Sequence, residues 1–202
     1  MSVAASLLAA GESTRMGRPK PLLPWGDVTL IEYQVRELLA AGVDDLVVVV
    51  LGHAAEEVRP HVPTKARVVL NKAYVEGRAS SLRAGAAALP DNIGTIVVLN
   101  VDQPRPRDVL QQLLTAHHEG DARITLPTYE GKRGHPPVLA GSLLPELRAA
   151  SEAAQGLRGI IGAHEAEVRN LAFDSAAVLI GLNTPDEYRK ALLQFGLPSP
   201  SM

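Results

Sequence analysis

The chain has 202 residues, a formal net charge of −2 and no cysteine, and 46% of its residues are hydrophobic but only 3% aromatic. A length close to that of one ordinary domain predicts a single core, and the missing basic field excludes a nucleic-acid partner held through its phosphates. Without cysteine there are no disulfides, thiolate metal sites or thiol nucleophiles, so any catalysis falls to oxygen and nitrogen groups. A core of Val, Leu, Ile and Ala suits buried parallel strands covered by helices. No stretch approaches the ~18 uninterrupted apolar residues of a membrane span, and the apolar start from Met1 to Ala10 lacks a basic flank, so a cytoplasmic protein with no membrane partner is expected.

Short β-branched runs alternate with segments of helical period, the pattern of βαβ units, which predicts a single-domain, three-layer α/β/α fold around a mostly parallel, Rossmann-like sheet. Strands are expected at Val3 to Leu8, Leu46 to Leu51, Ala66 to Leu70 and Thr95 to Asn100. Between the first two, Ile31, Val35, Leu38 and Leu39 recur at helical spacing and form one apolar stripe, with Gly42 as the stop. Gly77 to Gly85 opens another helix. Asp108 to His117 reads as a helix, Arg123 to Leu126 as a short strand, Ser142 to Ala150 as a helix, and Thr184 and Asp186 start a last helix that runs to about Phe195. With no linker in view, the stretch from about Gly120 to Ala172 is expected to elaborate the same sheet on the substrate side. The domain is assigned to residues 1–195, and Gly196 to Met202 is expected to be a disordered tail. Ligands of such sheets bind beyond the carboxyl ends of the strands, so the residues that follow each strand carry the functional reading.

After the first strand comes a long loop, Ala9-Ala10-Gly11-Glu12-Ser13-Thr14-Arg15-Met16-Gly17-Arg18-Pro19-Lys20. Small residues at Ala9, Ala10 and Gly11 let backbone N–H groups approach anionic oxygens, Arg15 can fork two oxygens, and Lys20 supplies a mobile point charge. These are the parts of a phosphate site, although neither the P-loop nor the dinucleotide fingerprint is present. The bland alternative, glycines that merely turn the chain among solvated cations, leaves so long an excursion unexplained. A second signal follows the fourth strand, where Asp102-Gln103-Pro104 sets a carboxylate toward the same crevice. One carboxylate completed by substrate phosphates and water is a usual way to hold Mg²⁺, and Asp102 is the expected ligand; capping the turn before Pro104 is its structural alternative.

The run from Leu8 to Gly26 resembles the signature of the molybdenum cofactor nucleotidyltransferases, the MobA-like group within the nucleotide-sugar pyrophosphorylase superfamily. The double alanine Ala9-Ala10 is the form found in the cytidylyltransferase branch, and the Asp102 triplet resembles that branch's metal-binding triplet. The resemblance implies a nucleotide-diphospho-sugar transferase fold, CTP held by Leu8, Ala9, Ala10 and Gly11 with Arg15 and Lys20 on its phosphates, and catalysis by Arg15, Lys20 and Asp102. It also implies molybdopterin cofactor as the phosphorylated acceptor and a transient contact with a molybdoenzyme that takes the product. Gly77-Arg78-Ala79-Ser80-Ser81-Leu82 is similar to the segment that holds cytosine and ribose, which marks Ser80 and Ser81; N-capping is the rival role for Ser80.

Gly134-His135-Pro136 resembles an element on the acceptor face, which marks His135. Gly156 and Arg158 survive from a motif in which an acidic residue stands where this chain has Ala154, and Arg158 is the second acceptor residue expected. Near the last helix the family pattern Asp-x-Asp-Thr-Pro becomes Gly181-Leu182-Asn183-Thr184-Pro185, so Asn183 is expected as a neutral second ligand to Mg²⁺, or with Thr184 as a helix cap. Two alternatives accompany the cytidylyltransferase reading: transfer to a sugar-phosphate or other phosphorylated acceptor, and a non-catalytic nucleotide sensor or chaperone, which the departures at Ala154, Gly181 and Asn183 favour.

Overall fold

The structure is a computed structural model and describes residues 2–198. Its centre is β1 (Val3–Ala9), whose residues alternate between two faces: Ala5, Leu7 and Ala9 enter one apolar cluster and Ala4 enters the other. A short hairpin of β2 (Pro24–Trp25) and β3 (Val28–Thr29) follows the first loop, then α1 (Leu30–Ala40) and β4 (Leu46–Leu51). In α1 the predicted stripe holds, with Ile31, Val35 and Leu38 fully buried and Leu39 half-buried. Its start is a capping box of Thr29 and Glu32. Its end is a Schellman turn: Gly42, at φ +97°, donates to the Leu39 carbonyl and Val43 to that of Leu38, a left-handed step that glycine takes without strain.

The chain continues through α2 (Ala55–Val58), β5 (Arg67–Leu70), α3 (Arg78–Ala87), β6 (Thr95–Asn100) and α4 (Arg107–His118). Beyond them come β7 (Ile124–Tyr129), β8 (Lys132–Arg133), β9 (Val138–Ala140), α5 (Leu144–Arg148), α6 (Gly156–Ala163), β10 (Val168–Ala172) and α7 (Pro185–Gln194). The sheet order is β10-β7-β9-β6-β1-β4-β5, with β8 paired to β7. The stretch after Gly120 therefore extends the same sheet, and β9 is its antiparallel member between β6 and β7. Helices α1, α4 and α7 cover one face and α3, α5 and α6 the other, which makes the three layers.

β1 runs parallel to both β4 and β6, in a register that pairs Ala9 with Leu51 and Leu8 with Asn100. Three carboxyl ends thus finish level, and the loops after Ala9, Leu51 and Asn100 meet at one edge where the strand order reverses. That switch point is where open α/β sheets bind ligands. Close approach of α3 to β1 depends on a missing side chain, since a Cβ on Gly85 would lie 2.0 Å from the Ser6 hydroxyl. Gly196 and Leu197 depart from the expected tail: Gly196, at φ +65°, and the Leu197 N–H close the end of α7, the latter on the Leu192 carbonyl at 2.8 Å, and Leu197 packs on the core. Apolar burial orders these residues; 199–202 lie outside the described residues. No helix among the described residues is long and apolar enough to cross a membrane.

Candidate active site

A cleft of about 290 Å³ opens at the switch point, lined by the whole run from Leu8 to Arg15 together with Lys20, Tyr74, Gly77, Arg78, Ser81, Asn100, Val101, Asp102 and Asn183. Nine residues expected from the sequence meet here: Leu8, Ala9, Ala10, Gly11, Arg15, Lys20, Ser81, Asp102 and Asn183. The first loop is folded on itself. Ser13 takes a left-handed conformation at φ +57°, its carbonyl accepts from Met16 N–H, and its hydroxyl accepts from the Lys20 N–H at 3.0 Å. The loop thereby returns Lys20 to the cleft, where its ammonium donates to the Asp102 carboxylate at 2.7 Å. Both side chains are mostly shielded, 12% and 20% exposed, so water screens the pair only weakly.

Asp102 is tied to the last helix as well. The Leu182 N–H donates to the Asp102 carbonyl at 2.8 Å, which brings Asn183 into the cleft at the entrance to α7. Thr184 is the N-cap of that helix, in a capping box with Glu187, and Pro185 is its first residue. Asn183 is therefore left to face the cleft while its neighbour does the capping. The donor set is one carboxylate and one neutral amide, and no cluster of three or more His, Asp or Glu residues that could hold a metal occurs among the described residues. Such a set fits a hard cation that keeps most of its oxygen ligands in water and substrate phosphate, as Mg²⁺ and Mn²⁺ do.

Ser80 does not line the cleft. Its hydroxyl donates to the Gly77 carbonyl at 2.8 Å and accepts from the Asn71 side-chain amide at 2.9 Å, and Gly77, not Ser80, is the N-cap of α3. The same amide donates to Ser81 at 3.0 Å, so Asn71 aims the one hydroxyl of the pair that reaches the cleft. The first turn of α3 is capped from outside: the Glu152 carboxylate accepts from the Ala79 N–H, and a Cβ on Gly77 would collide with it at 2.5 Å. An acidic group thus sits two residues before Ala154, bound to protein. Beside the loop, the Ala10 carbonyl accepts from the His53 N–H at 3.1 Å, and the His53 ring meets Tyr74 edge-on at 5.9 Å, so Tyr74 presents a braced aromatic wall.

His135 and Arg158 also lie outside the lining. Arg158 is exposed on α6. His135 is half-buried, its peptide bond to Pro136 is cis, and its ring Nδ1 is buried with no hydrogen-bond partner among the described residues. Burial and then the neighbouring Arg105 cation lower its pKa, so the ring is neutral near pH 7.

Arg105 was not expected. It is fully buried, and its guanidinium donates to four main-chain carbonyls, those of His135 at 2.7 Å, Pro104 at 2.7 Å, Val178 at 2.8 Å and Ile180 at 3.1 Å. Burial pushes it down to about 9, which leaves it protonated near pH 7. Gln34, buried on α1, secures the same loop by donating to the Gln103 carbonyl at 2.7 Å and accepting from the Arg105 N–H. An Arg two residues before a helix reads as a solvated charge; only the Pro residues around it hint at a constrained loop.

Residues 5–168 match the family model described as a MobA-like NTP transferase domain. A bifunctional IPC transferase and DIPP synthase from Rubrobacter xylanophilus is 37% identical over 134 residues, 63% of this chain, and the chain spans only 30% of that protein's length. Nicotine blue oxidoreductase from Paenarthrobacter nicotinovorans is 35% identical over 166 residues, covering 77% of this chain and 79% of the relative. Among solved structures, Rv0371c from Mycobacterium tuberculosis is 28% identical and superposes with a TM-score of 0.82 over 96% of this chain and 98% of that one. A manganese complex of the same protein superposes at 0.78, covering 96% and 99% of the two chains.

Proposed function

The chain belongs to the MobA-like NTP transferase family, a nucleotidyltransferase family, and we propose that it is a cytidylyltransferase that moves a cytidylyl group from CTP to a phosphorylated acceptor and releases pyrophosphate. The double alanine and the Asp-Gln-Pro triplet favour the cytidylyltransferase branch, and the family resemblance favours molybdopterin cofactor as the acceptor. The observation that carries the reading is the shielded Lys20–Asp102 pair at the mouth of a small-residue loop, one cation for phosphate and one carboxylate for a metal, 2.7 Å apart.

In this reading an acceptor phosphate oxygen attacks the α-phosphorus in line, the new O–P bond forms, and the bond to the bridging oxygen breaks with pyrophosphate leaving. The nucleophile is already ionised near pH 7, so no general base is required. The obstacle is repulsion between anions, and Arg15, Lys20 and the N–H groups of residues 9–11 offset it as preorganised donors, each worth ~10²–10³ in rate. Asp102 and Asn183 would hold Mg²⁺, which supplies charge neutralisation on the phosphates. The manganese complex of Rv0371c supports divalent-metal binding in the family. Ser81 and the Tyr74 wall would face the ribose and base, while His135 acts from behind the cleft and Arg158 only if the acceptor reaches α6.

Two observations favour other readings. The relative named as an IPC transferase favours a different acceptor in the same cleft, and the one named as an oxidoreductase favours redox chemistry there. The test is pyrophosphate release with Mg²⁺ and each of CTP, GTP, ATP and UTP, with and without molybdopterin cofactor, beside Asp102→Ala. CTP- and acceptor-dependent release that disappears in the variant is the expected result. Release with another nucleotide or acceptor reassigns the substrate, CTP binding without turnover supports the sensor, and oxidation of a reduced nicotinamide dinucleotide supports the oxidoreductase reading.

A further inference from the structure

Three separate segments bring candidate site residues together: the loop after β6 with Asp102, the loop before β9 with His135, and the segment before α7 with Asn183. They share one side chain. The Arg105 guanidinium, on the first of these segments, donates to His135 O on the second and to Val178 O and Ile180 O on the third. The contact is close and direct: the His135 N–H also donates to Val178 O at 3.0 Å, and a Cβ on Gly134 would lie 2.3 Å from that oxygen. Two residues beyond Ile180, the Leu182 N–H closes the circuit on Asp102 O.

A rigid, planar cation with several donors can hold carbonyls from separate segments in one plane, and no apolar or lysine side chain does the same. From this we propose, resting on the nucleotidyl-transfer reading, that Arg105 is a positioning residue for the cation half of the cleft. It fixes Asn183 and the His135 loop relative to Asp102 and has no part in holding the nucleotide's base or ribose. The guanidinium's bonds go only to segments beyond β6, whereas Ser81, Tyr74 and the first loop are held by Asn71, His53 and Ser13.

The test uses Arg105→Lys, which keeps the charge and loses the fork, with Gly134→Ala as a second variant that pushes the Val178 carbonyl away while leaving the Arg105 side chain itself unaltered. CTP affinity is measured in EDTA, Mn²⁺ affinity in saturating CTP by electron paramagnetic resonance, and backbone hydrogen exchange over residues 133–137 and 178–183. Supporting residues behind metal ligands are typically worth ~10–100-fold in metal affinity. The expected result is CTP affinity within about threefold of wild type, Mn²⁺ affinity weakened at least tenfold, and faster exchange confined to those two segments. If Arg105→Lys does not fold, the same split in Gly134→Ala supports the role.

Folded variants that bind Mn²⁺ like wild type overturn the proposal, as does an equal loss of CTP and Mn²⁺ affinity, which marks a merely structural residue. A wild-type protein that binds neither CTP nor Mn²⁺ overturns the nucleotidyl-transfer reading and this role with it.

Discussion

Lys20→Met tests whether the ion pair at the cleft is an internal stand-in for the metal. In the free protein the ammonium occupies the carboxylate that a cation would need, so metal binding must first displace it. At 2.7 Å and an effective dielectric of about 20 the gross attraction is about 6 kcal/mol. Desolvation and side-chain ordering consume most of that. Exposed pairs net ~0–1 kcal/mol and breaking fully buried ones costs ~3–5, so a pair 12% and 20% exposed is worth about 2 kcal/mol. Removing the ammonium while keeping its apolar stem should therefore tighten Mn²⁺ binding in the absence of nucleotide about 30-fold, at ~1.4 kcal/mol per tenfold. CTP affinity in EDTA should fall at least tenfold, because Lys20 no longer meets the phosphates. By reciprocity the enhancement of Mn²⁺ binding by CTP shrinks by the same factor as the enhancement of CTP binding by Mn²⁺. Mn²⁺ titrations with and without CTP measure both sides. An unchanged or weaker Mn²⁺ affinity in the nucleotide-free variant refutes the stand-in role.

Three further outcomes concern packing and pH. The buried Ser6 hydroxyl has no partner among the described residues, so Ser6→Ala should leave the urea midpoint unchanged or raise it, whereas Gly85→Ala, whose Cβ meets that hydroxyl at 2.0 Å, should cost ~1–3 kcal/mol, partly recovered in the double variant. Glu152→Ala removes the cap of α3 and should cost ~0.5–2 kcal/mol in urea unfolding while weakening CTP more than Mn²⁺, the reverse of the Arg105 pattern. Burial, aided by His118, pushes His117 down to about 4, against ~6.5 when unfolded. Between those values the unfolded chain binds more protons than the native one, so stability falls as pH drops from ~6.5 to ~4, by roughly 1–3 kcal/mol. His117→Asn keeps a partner for Thr125 and should flatten that slope in urea titrations at pH 4.5 and 7.

What was legible in the sequence rests on local signals. The stripe of α1 with its glycine stop, the Thr184 cap and Pro185 that start α7, and the small-residue loop with its cations each announce themselves within about a dozen residues. So does Asp102, because a strand end followed by Asp-x-Pro fixes where the carboxylate emerges. The antiparallel β9 escaped notice, since three residues carry no periodicity. Arg105 is not legible because three of its four carbonyl partners lie 30 to 75 positions away, and main-chain acceptors leave no trace in residue type. Ser80 and Ser81 are not distinguished for the converse reason: a Ser-Ser pair reads as two equal hydroxyls, and only the fold gives one of them the Gly77 carbonyl.

The two halves of the cleft are consequently held in different ways, and the departures from the family pattern follow that division. Around the nucleotide half, polar groups are fixed by partners nearby in space and mostly nearby in sequence: Asn71 with both serines, His53 with Ala10, Ser13 with Lys20. Ala154 leaves this half intact because Glu152 already occupies the start of α3. Gly181 and Asn183 belong to the other half, and they are linked sterically, since a Cβ on Gly181 would sit 3.3 Å from the Asn183 amide nitrogen. A carboxylate at either place alters the charge that Arg105 and Asp102 hold in register, whereas Ser81 and Tyr74, proposed to face ribose and base, lie on the far side of β1. On the proposed reading, acceptor and metal preference can therefore change through the segment before α7 without disturbing the nucleotide pocket.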